Sequence, residues 1–199
     1  MLSRGWFFEG LQRYSYDAVM IDPPWDFRCR GAAGRKSPAA QYACMPTSEI
    51  AALPIGELLK PQAMVWLWCT WPLVAEGQHI RVLKSWGLEP KTGGAWAKRT
   101  VTGKLRWGTG YVMRTVCEPF IIATAGAPLA RGRSVKNLID CGDVLLNGLA
   151  RQHSRKPDEA YSTMEALTPG MMRADLFSRQ RRPGWDAWGW EAGKFEGAS

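Results

Sequence analysis

The chain has 199 residues, with 26 Lys and Arg against 18 Asp and Glu, a formal net charge of +8 and 46% hydrophobic content. This length and balance suit a single folded domain over residues 1–199, long enough to bury a layered core. No membrane-spanning helix is expected, because the longest apolar stretch, residues 63–75, is interrupted by Thr70 and Pro72 and is too short for a bilayer. The cysteines at positions 29, 44, 69, 117 and 141 form no Cys-x-x-Cys pair, which argues against zinc or a disulfide framework and for reduced intracellular thiols. Residues 1–10 lack an apolar core followed by a small-residue cleavage site, so no signal peptide is expected and the compartment reads as cytoplasmic. The basic surplus suits a polyanionic partner, since neutralised phosphates release counterions; a basic surface that only aids solubility is the plainer alternative.

In chain order, the first strand is predicted over residues 16–21 and is stopped by Asp22-Pro23-Pro24. Residues 47–60 read as two short helices, because Pro54 and Gly56 interrupt them. A second strand over 64–69 is stopped by Trp71-Pro72, and a helix over 72–86 follows with Gly87 as its C-cap. A weaker strand runs over 90–96, and a fourth over 119–124 ends at Gly126. The clearest helix, 157–167, has Pro157 at its first position, Asp158 and Glu159 in its first turn, and Ala160, Tyr161, Met164 and Leu167 on one face. Strands over 173–177 and 185–188 close the series. Apolar strands alternating with helices predict an α/β fold, a mostly parallel sheet with helices on both faces. In such folds ligands bind outside the carboxyl ends of the strands.

The sharpest feature is Asp22-Pro23-Pro24-Trp25 at the end of a buried strand. Consecutive prolines fix φ and lack N–H donors, so their carbonyls are expected to point outward without a local partner. With the Asp22 carboxylate they make an array of acceptors, which an adenine amine with its two N–H donors would match. Trp25 offers a face for stacking the extruded base. An ordinary strand exit with Trp25 in the core is the alternative.

Asp-Pro-Pro-Trp at a strand end resembles the catalytic motif of amino-methyltransferases that act on bases. The wider pattern, from Tyr16 to Glu191, resembles the MT-A-seventy-type family. Its eukaryotic members methylate adenosine in messenger RNA, and its bacterial and phage members are expected to act on adenine in DNA. Tyr42-Ala43-Cys44-Met45 resembles the family's active-site loop, and Gly94-Ala95-Trp96-Ala97-Lys98 its strand ending in Trp-x-Lys. Gly110 to Arg114, leading to Glu118, resembles the segment that carries an acidic active-site residue. His153-Ser154-Arg155-Lys156-Pro157-Asp158-Glu159 resembles a cofactor-site motif, while Leu176-Phe177-Ser178-Arg179 and Gly184 to Gly189 resemble the segment that wraps the cofactor.

The resemblance implies a Rossmann-like methyltransferase sheet in permuted order, with the catalytic strand first and the cofactor strands last. That order accounts for the lack of Gly-x-Gly-x-x-Gly after the first strand. It implies S-adenosylmethionine as cofactor, held by Asp22, Lys156, Phe177, Arg179, Arg181, Trp190 and Glu191. It further implies a substrate site of Tyr42, Trp96, Lys98, Arg114 and Glu118, with Asp22, Pro23, Pro24 and Trp25 as the catalytic turn. One departure is Gly189-Trp190-Glu191, where the family often has Gly-Asn-Glu or Gly-Asn-Gln. Trp190 would then stack on the cofactor's adenine ring in place of the polar Asn contact.

The residues support parts of this by themselves. Lys156 opens a helix N-terminus, where a positive charge and free N–H groups suit a carboxylate such as the methionine end of the cofactor. Phe177 would pack beside the cofactor, Arg179 would reach its polar groups, and Glu191 lies where an acid accepts from ribose hydroxyls. Lys98, Arg99, Lys104, Arg106 and Arg114 interleave with Trp96, Trp107 and Tyr111, a mix suited to phosphates and stacked bases. Arg179, Arg181 and Arg182 form a second basic run, and Arg28, Arg30, Arg35 and Lys36 a third. His79 reads as a surface or packing residue. His153 has no Cys or acid at metal spacing, so no metal is expected.

The expected reaction is direct transfer of the sulfonium methyl to the adenine amine, with DNA ahead of RNA as the polymer. Transfer to cytosine N4 is disfavoured by Asp22, since Ser is commoner there, and a catalytically inactive nucleic-acid-binding partner subunit is the non-enzyme alternative. Related enzymes imply a dimer, of identical or different chains.

Overall fold

A computed structural model describes residues 5–26, 44–100, 102–108, 110, 112–127, 135–140 and 156–189. Its strands are β1 (Tyr16–Ile21), β2 (Leu59–Trp68), β3 (Glu89–Ala97), β4 (Cys117–Ala125), β5 (Leu138–Ile139), β6 (Arg173–Leu176) and β7 (Asp186–Trp188). They form one seven-stranded sheet in the order β5-β3-β4-β2-β1-β6-β7. β4 pairs antiparallel with both β2 and β3, and every other neighbouring pair is parallel. The sheet is therefore mostly parallel, with β4 alone reversed. Among the described residues the helices are α1 (Thr47–Ala51), α2 (Trp71–Ala75), α3 (Gln78–Ser85) and α4 (Asp158–Leu167), with a 3₁₀ turn at Ile55–Glu57.

Strand alternation divides the apolar residues into two cores. Val19 and Ile21 of β1 and Val65 and Leu67 of β2 pack with Ile50, Val82, Leu83 and Trp86 from the α1 and α3 side. Ala18, Met20, Trp66 and Trp68 face the other way, toward Phe120 and Ala160, Tyr161 and Met164 of α4. Trp66 stacks on Phe120 with ring centroids 3.9 Å apart. Burying a side chain of this size stabilises the fold by about 1.5–3 kcal/mol. Trp66, Trp68, Trp96 and Trp185 are thus core residues of this face.

Several element bounds differ from the sequence reading, each for a local reason. Residues 72–86 are two helices, because Gly77 takes φ 70° between them. Gly87, at φ 76°, does cap α3; its N–H bonds Lys84 O and the Leu88 N–H bonds Leu83 O, both at 3.0 Å. The segment 47–60 holds one short helix and the 3₁₀ turn, and β2 begins already at Leu59. Pro157 precedes α4 with extended φ and ψ of −69° and 144°, so it is the N-cap and not the first helical residue.

β5 was not foreseen, and it depends on a glycine. A Cβ on Gly94 would lie 1.9 Å from Asn137 O and 2.5 Å from Phe120 Cζ. The bare backbone lets Asn137 O accept from Ala95 N at 3.0 Å, which seats β5 against β3. Gly94→Ala is expected to lower stability by about 1–3 kcal/mol, the usual cost of overpacking, read as a lower urea midpoint. The carboxyl ends of β1, β2, β3, β6 and β7 share one edge of the sheet with the amino end of the reversed β4.

Candidate active site

Four charged side chains converge on that edge. Asp22 follows β1, Lys98 follows β3, Glu118 lies at the start of β4 in register with Trp96, and Lys156 stands just before α4. Lys156 Nζ sits 3.0 Å from Asp22 Oδ1 and donates a short hydrogen bond to Glu118 Oε1. Lys98 Nζ holds the other Glu118 oxygen at 2.7 Å. The Lys156 side chain is only 9% exposed, and its ammonium lies 5.0 Å from the Trp68 ring centroid. Two carboxylates and a π face replace the water that this cation gives up.

The two carboxylates differ in character. Burial works to raise the Glu118 pKa, but Lys156 and Lys98 outweigh it and hold the carboxyl down at about 2. Asp22 is pushed up instead, by burial and then by the charge of Glu118, which together exceed the help from Lys156. Burial alone would lower Lys156, yet Asp22 and Glu118 hold it above the ordinary lysine value. Glu118 is the fixed charge of the site, and Asp22 is the more open carboxylate, with 26% of its side chain exposed. Cys69 is no nucleophile: its buried thiol donates to Leu67 O, and burial, then Glu118, keep it protonated.

The Asp-Pro-Pro-Trp turn departs from the sequence reading in two respects. Trp25 is 3% exposed, donates its indole N–H to Trp68 O at 3.0 Å and meets His79 edge-on at 4.5 Å. It is therefore a core residue and offers no stacking face. The proline carbonyls also have partners, since Pro23 O accepts from Trp25 N and Pro24 O from Met45 N, each at 2.8 Å. Each carbonyl keeps a second lone pair. His79 is fully buried, and burial lowers its pKa to about 4. The neutral ring accepts from Thr70 N at 3.3 Å, so His79 packs beneath the turn. Trp25→Phe leaves the buried Trp68 carbonyl short of a donor and is expected to cost about 1–3 kcal/mol in thermal unfolding, with the substrate KM unchanged.

The MT-A70 family profile matches residues 16–191. The chain belongs to the MT-A70 family. It is 26% identical over 194 residues to N(6)-adenine-specific methyltransferase METTL4 of Homo sapiens, covering 92% of this chain and 39% of that protein. N6-methyladenosine RNA methyltransferase MTA1 of Cryphonectria parasitica is 26% identical over 192 residues, 91% of this chain and 53% of its own length. Type II methyltransferase M.MunI of a Mycoplasma species is 25% identical over 202 residues, 92% of this chain and 81% of its own. The chain thus spans about half or less of the two eukaryotic relatives.

The remaining expected site residues fall in different places on this MT-A70 chain. Phe177 directly follows β6 at φ 60° and meets Trp188 edge-on at 5.4 Å, partly buried. Arg179 lies close enough to lower the Asp22 pKa, whereas Arg181 is exposed. Trp96 is buried with Trp68 and Phe120, and the Lys98 ammonium stands 5.0 Å from its ring. Arg114 is exposed over Trp107, 5.4 Å from the ring centroid. Tyr42, Trp190, Glu191, His153 and the basic run 28–36 lie outside the described residues.

One site neighbour escaped the sequence reading altogether. Asp175 is buried in β6, accepts from Tyr161 Oη at 2.8 Å, and is pushed up to about 6 by burial. Arg182 lies over the Tyr161 ring and pairs with Asp158. An acid inside a short apolar strand was the available signal. Among the described residues no group of three or more His, Cys, Asp and Glu is placed to hold a metal, and no helix is long and apolar enough to cross a membrane.

Proposed function

We propose that this chain transfers a methyl group from S-adenosylmethionine to the N6 amine of adenine in nucleic acid, with DNA as the first substrate. The observation that carries this reading is the partly exposed Asp22 carboxylate held by a buried lysine at the strand edge of an MT-A70 chain. The similarity to an adenine-specific enzyme and to most of a type II methyltransferase favours DNA. The similarity to an RNA methyltransferase makes RNA the second reading.

The local chemistry fits the cofactor. Asp22, the partly open Phe177 ring and Arg179 line one stretch of the carboxyl edge, which joins an apolar wall to groups for polar atoms. When bound, S-adenosylmethionine supplies an electrophilic methyl on a sulfonium. Lys156 is engaged by the chain's own carboxylates, so we assign it to holding Asp22 and Glu118 in place of gripping a ligand carboxylate. We keep Trp190 and Glu191 as cofactor contacts and Tyr42 as a base contact on the resemblance alone.

An adenine amine is a poor nucleophile, because its lone pair is delocalised into the ring. Asp22 and the second lone pair of Pro23 O would accept its two N–H groups, favouring a tetrahedral nitrogen and stabilising the developing positive charge. Orientation at about 3 Å from the methyl supplies much of the remainder. Asp22 is not required as a strong base, since the proton can leave after transfer. Lys104, Arg106 and Arg114, with exposed Trp107, form the basic and aromatic surface assigned to the nucleic acid.

The test is tritiated-methyl transfer to DNA and to RNA followed by nucleoside analysis. Tritium in N6-methyladenine supports the reading and names the polymer. Tritium in N4-methylcytosine, or none in either polymer, overturns it.

A further inference from the structure

A base brought to Asp22 needs an aromatic face to lie against once it leaves its stack. Trp25 and Trp96 are both buried and cannot provide it. Among the described residues the exposed large aromatics are Phe7, Tyr14, Trp71 and Trp107. Phe7 packs against Phe8 and Trp188, with centroids 5.0 and 5.5 Å away. Tyr14 precedes β1 and so lies at the opposite edge of the sheet. Trp107 stands out in the β3–β4 excursion beneath the guanidinium of Arg114.

Trp71 is placed differently. It is the first residue of α2, just past the end of β2, and is 45% exposed. In the sheet order β4-β2-β1, the end of β2 lies between Glu118 at the start of β4 and Asp22 at the end of β1. The indole N–H donates to Cys117 O at 3.3 Å, which ties the ring to the residue next to Glu118. The same strand end carries Trp68, whose ring supports Lys156 and whose carbonyl holds Trp25. A large aromatic is thus tethered at the rim of this strand edge, to the residue that precedes Glu118, with nearly half its surface open. Tethering reduces the freedom it would lose on binding.

We propose that Trp71 is the face on which the target adenine stacks while its amine meets Asp22. This rests on the adenine reading above, and it moves the stacking role from the motif's own tryptophan to one outside the motif. Stacking on aromatics is worth roughly 5- to 150-fold in binding per base, so Trp71→Ala is expected to raise the oligonucleotide KM by that factor. Trp71→Phe should restore most of the loss. The affinity for S-adenosylmethionine, measured by calorimetry, should not move in either variant. Trp71→Leu keeps the bulk without the π face and replaces the alanine variant if that one fails to fold.

The experiment pairs these kinetics on a single-stranded oligonucleotide carrying one adenine with fluorescence of the same oligonucleotide carrying 2-aminopurine at that position. The expected result is quenching by the wild-type chain and by Trp71→Phe, lost in Trp71→Ala or Trp71→Leu. If the wild type makes N6-methyladenine while Trp71→Ala keeps its KM and its quenching, the stacking role is wrong and the reaction stands. If no methyl is transferred but quenching still depends on Trp71, the stacking role stands and the reaction reading is wrong. Failure of both signals overturns both.

Discussion

Asp22→Ala is expected to lower kcat for adenine methylation by about 10²–10³-fold, the usual loss when one preorganised partner of the developing charge is removed. Nucleic-acid binding should change little, because the proposed phosphate contacts lie on the basic surface and the proposed base face is Trp71. Stability should move in the opposite sense to activity. Burial and then Glu118 hold the Asp22 carboxyl above its ordinary pKa, so the fold penalises its ionised form. At neutral pH that group therefore costs stability, and its removal leaves Lys156 still bonded to Glu118. Rapid-quench methyl transfer and a melting curve on one preparation would test both halves. A variant that loses activity only because it melts lower would show that Asp22 is structural.

What was legible in the sequence follows from where the controlling interactions lie. β1 was readable to the residue because its stop is local: Pro23 and Pro24 cannot continue a ladder. The cover on both faces of the sheet was readable from nearly continuous apolar strands alternating with helices, and the C-cap of α3 as a glycine. β5 was not, because two residues carry no period, and its seat depends on the missing side chain of Gly94 in another strand. The split at Gly77 was also hidden, since a glycine in a helical pattern signals a break only when its φ is known.

The site was legible as a set of residues but not as a set of roles. Asp22, Lys98, Glu118 and Lys156 are all expected site residues, and they do meet. Their pairing depends on strand order, which brings positions 22, 118 and 156 together across long stretches of chain. A lysine before a helix reads as an anion grip, whereas in the structure it pairs with Asp22 and Glu118, far away in sequence. Trp25 illustrates the same limit, because a stacking tryptophan and a core tryptophan are identical in sequence. The Trp68 carbonyl, 43 positions away, decides between them.

Lys156→Met carries the largest expected stability effect. The substitution keeps the length of the stem over Trp68 but leaves Asp22 and Glu118 facing each other without the cation between them. Removing one partner from a buried charge network costs about 3–5 kcal/mol, so the melting temperature should fall by roughly 10 °C for a chain of this size. The pH dependence identifies the cause. In the wild type the Glu118 pKa is depressed to about 2, so its contribution is present above the unfolded value and is lost as pH falls toward 2. Without Lys156, Glu118 keeps only Lys98 against burial and Asp22 loses its main counter-charge, so both carboxyls rise from their wild-type values. Asp22, already raised, binds a proton that the unfolded chain releases. The variant's stability then falls as pH rises through that raised value. The gap between wild type and variant should accordingly be smallest near pH 2, open as pH rises toward the unfolded carboxylate pKa of about 4, and be widest at neutral pH, in urea melts across that range. A gap independent of pH would mean that Lys156 acts through packing on Trp68 alone.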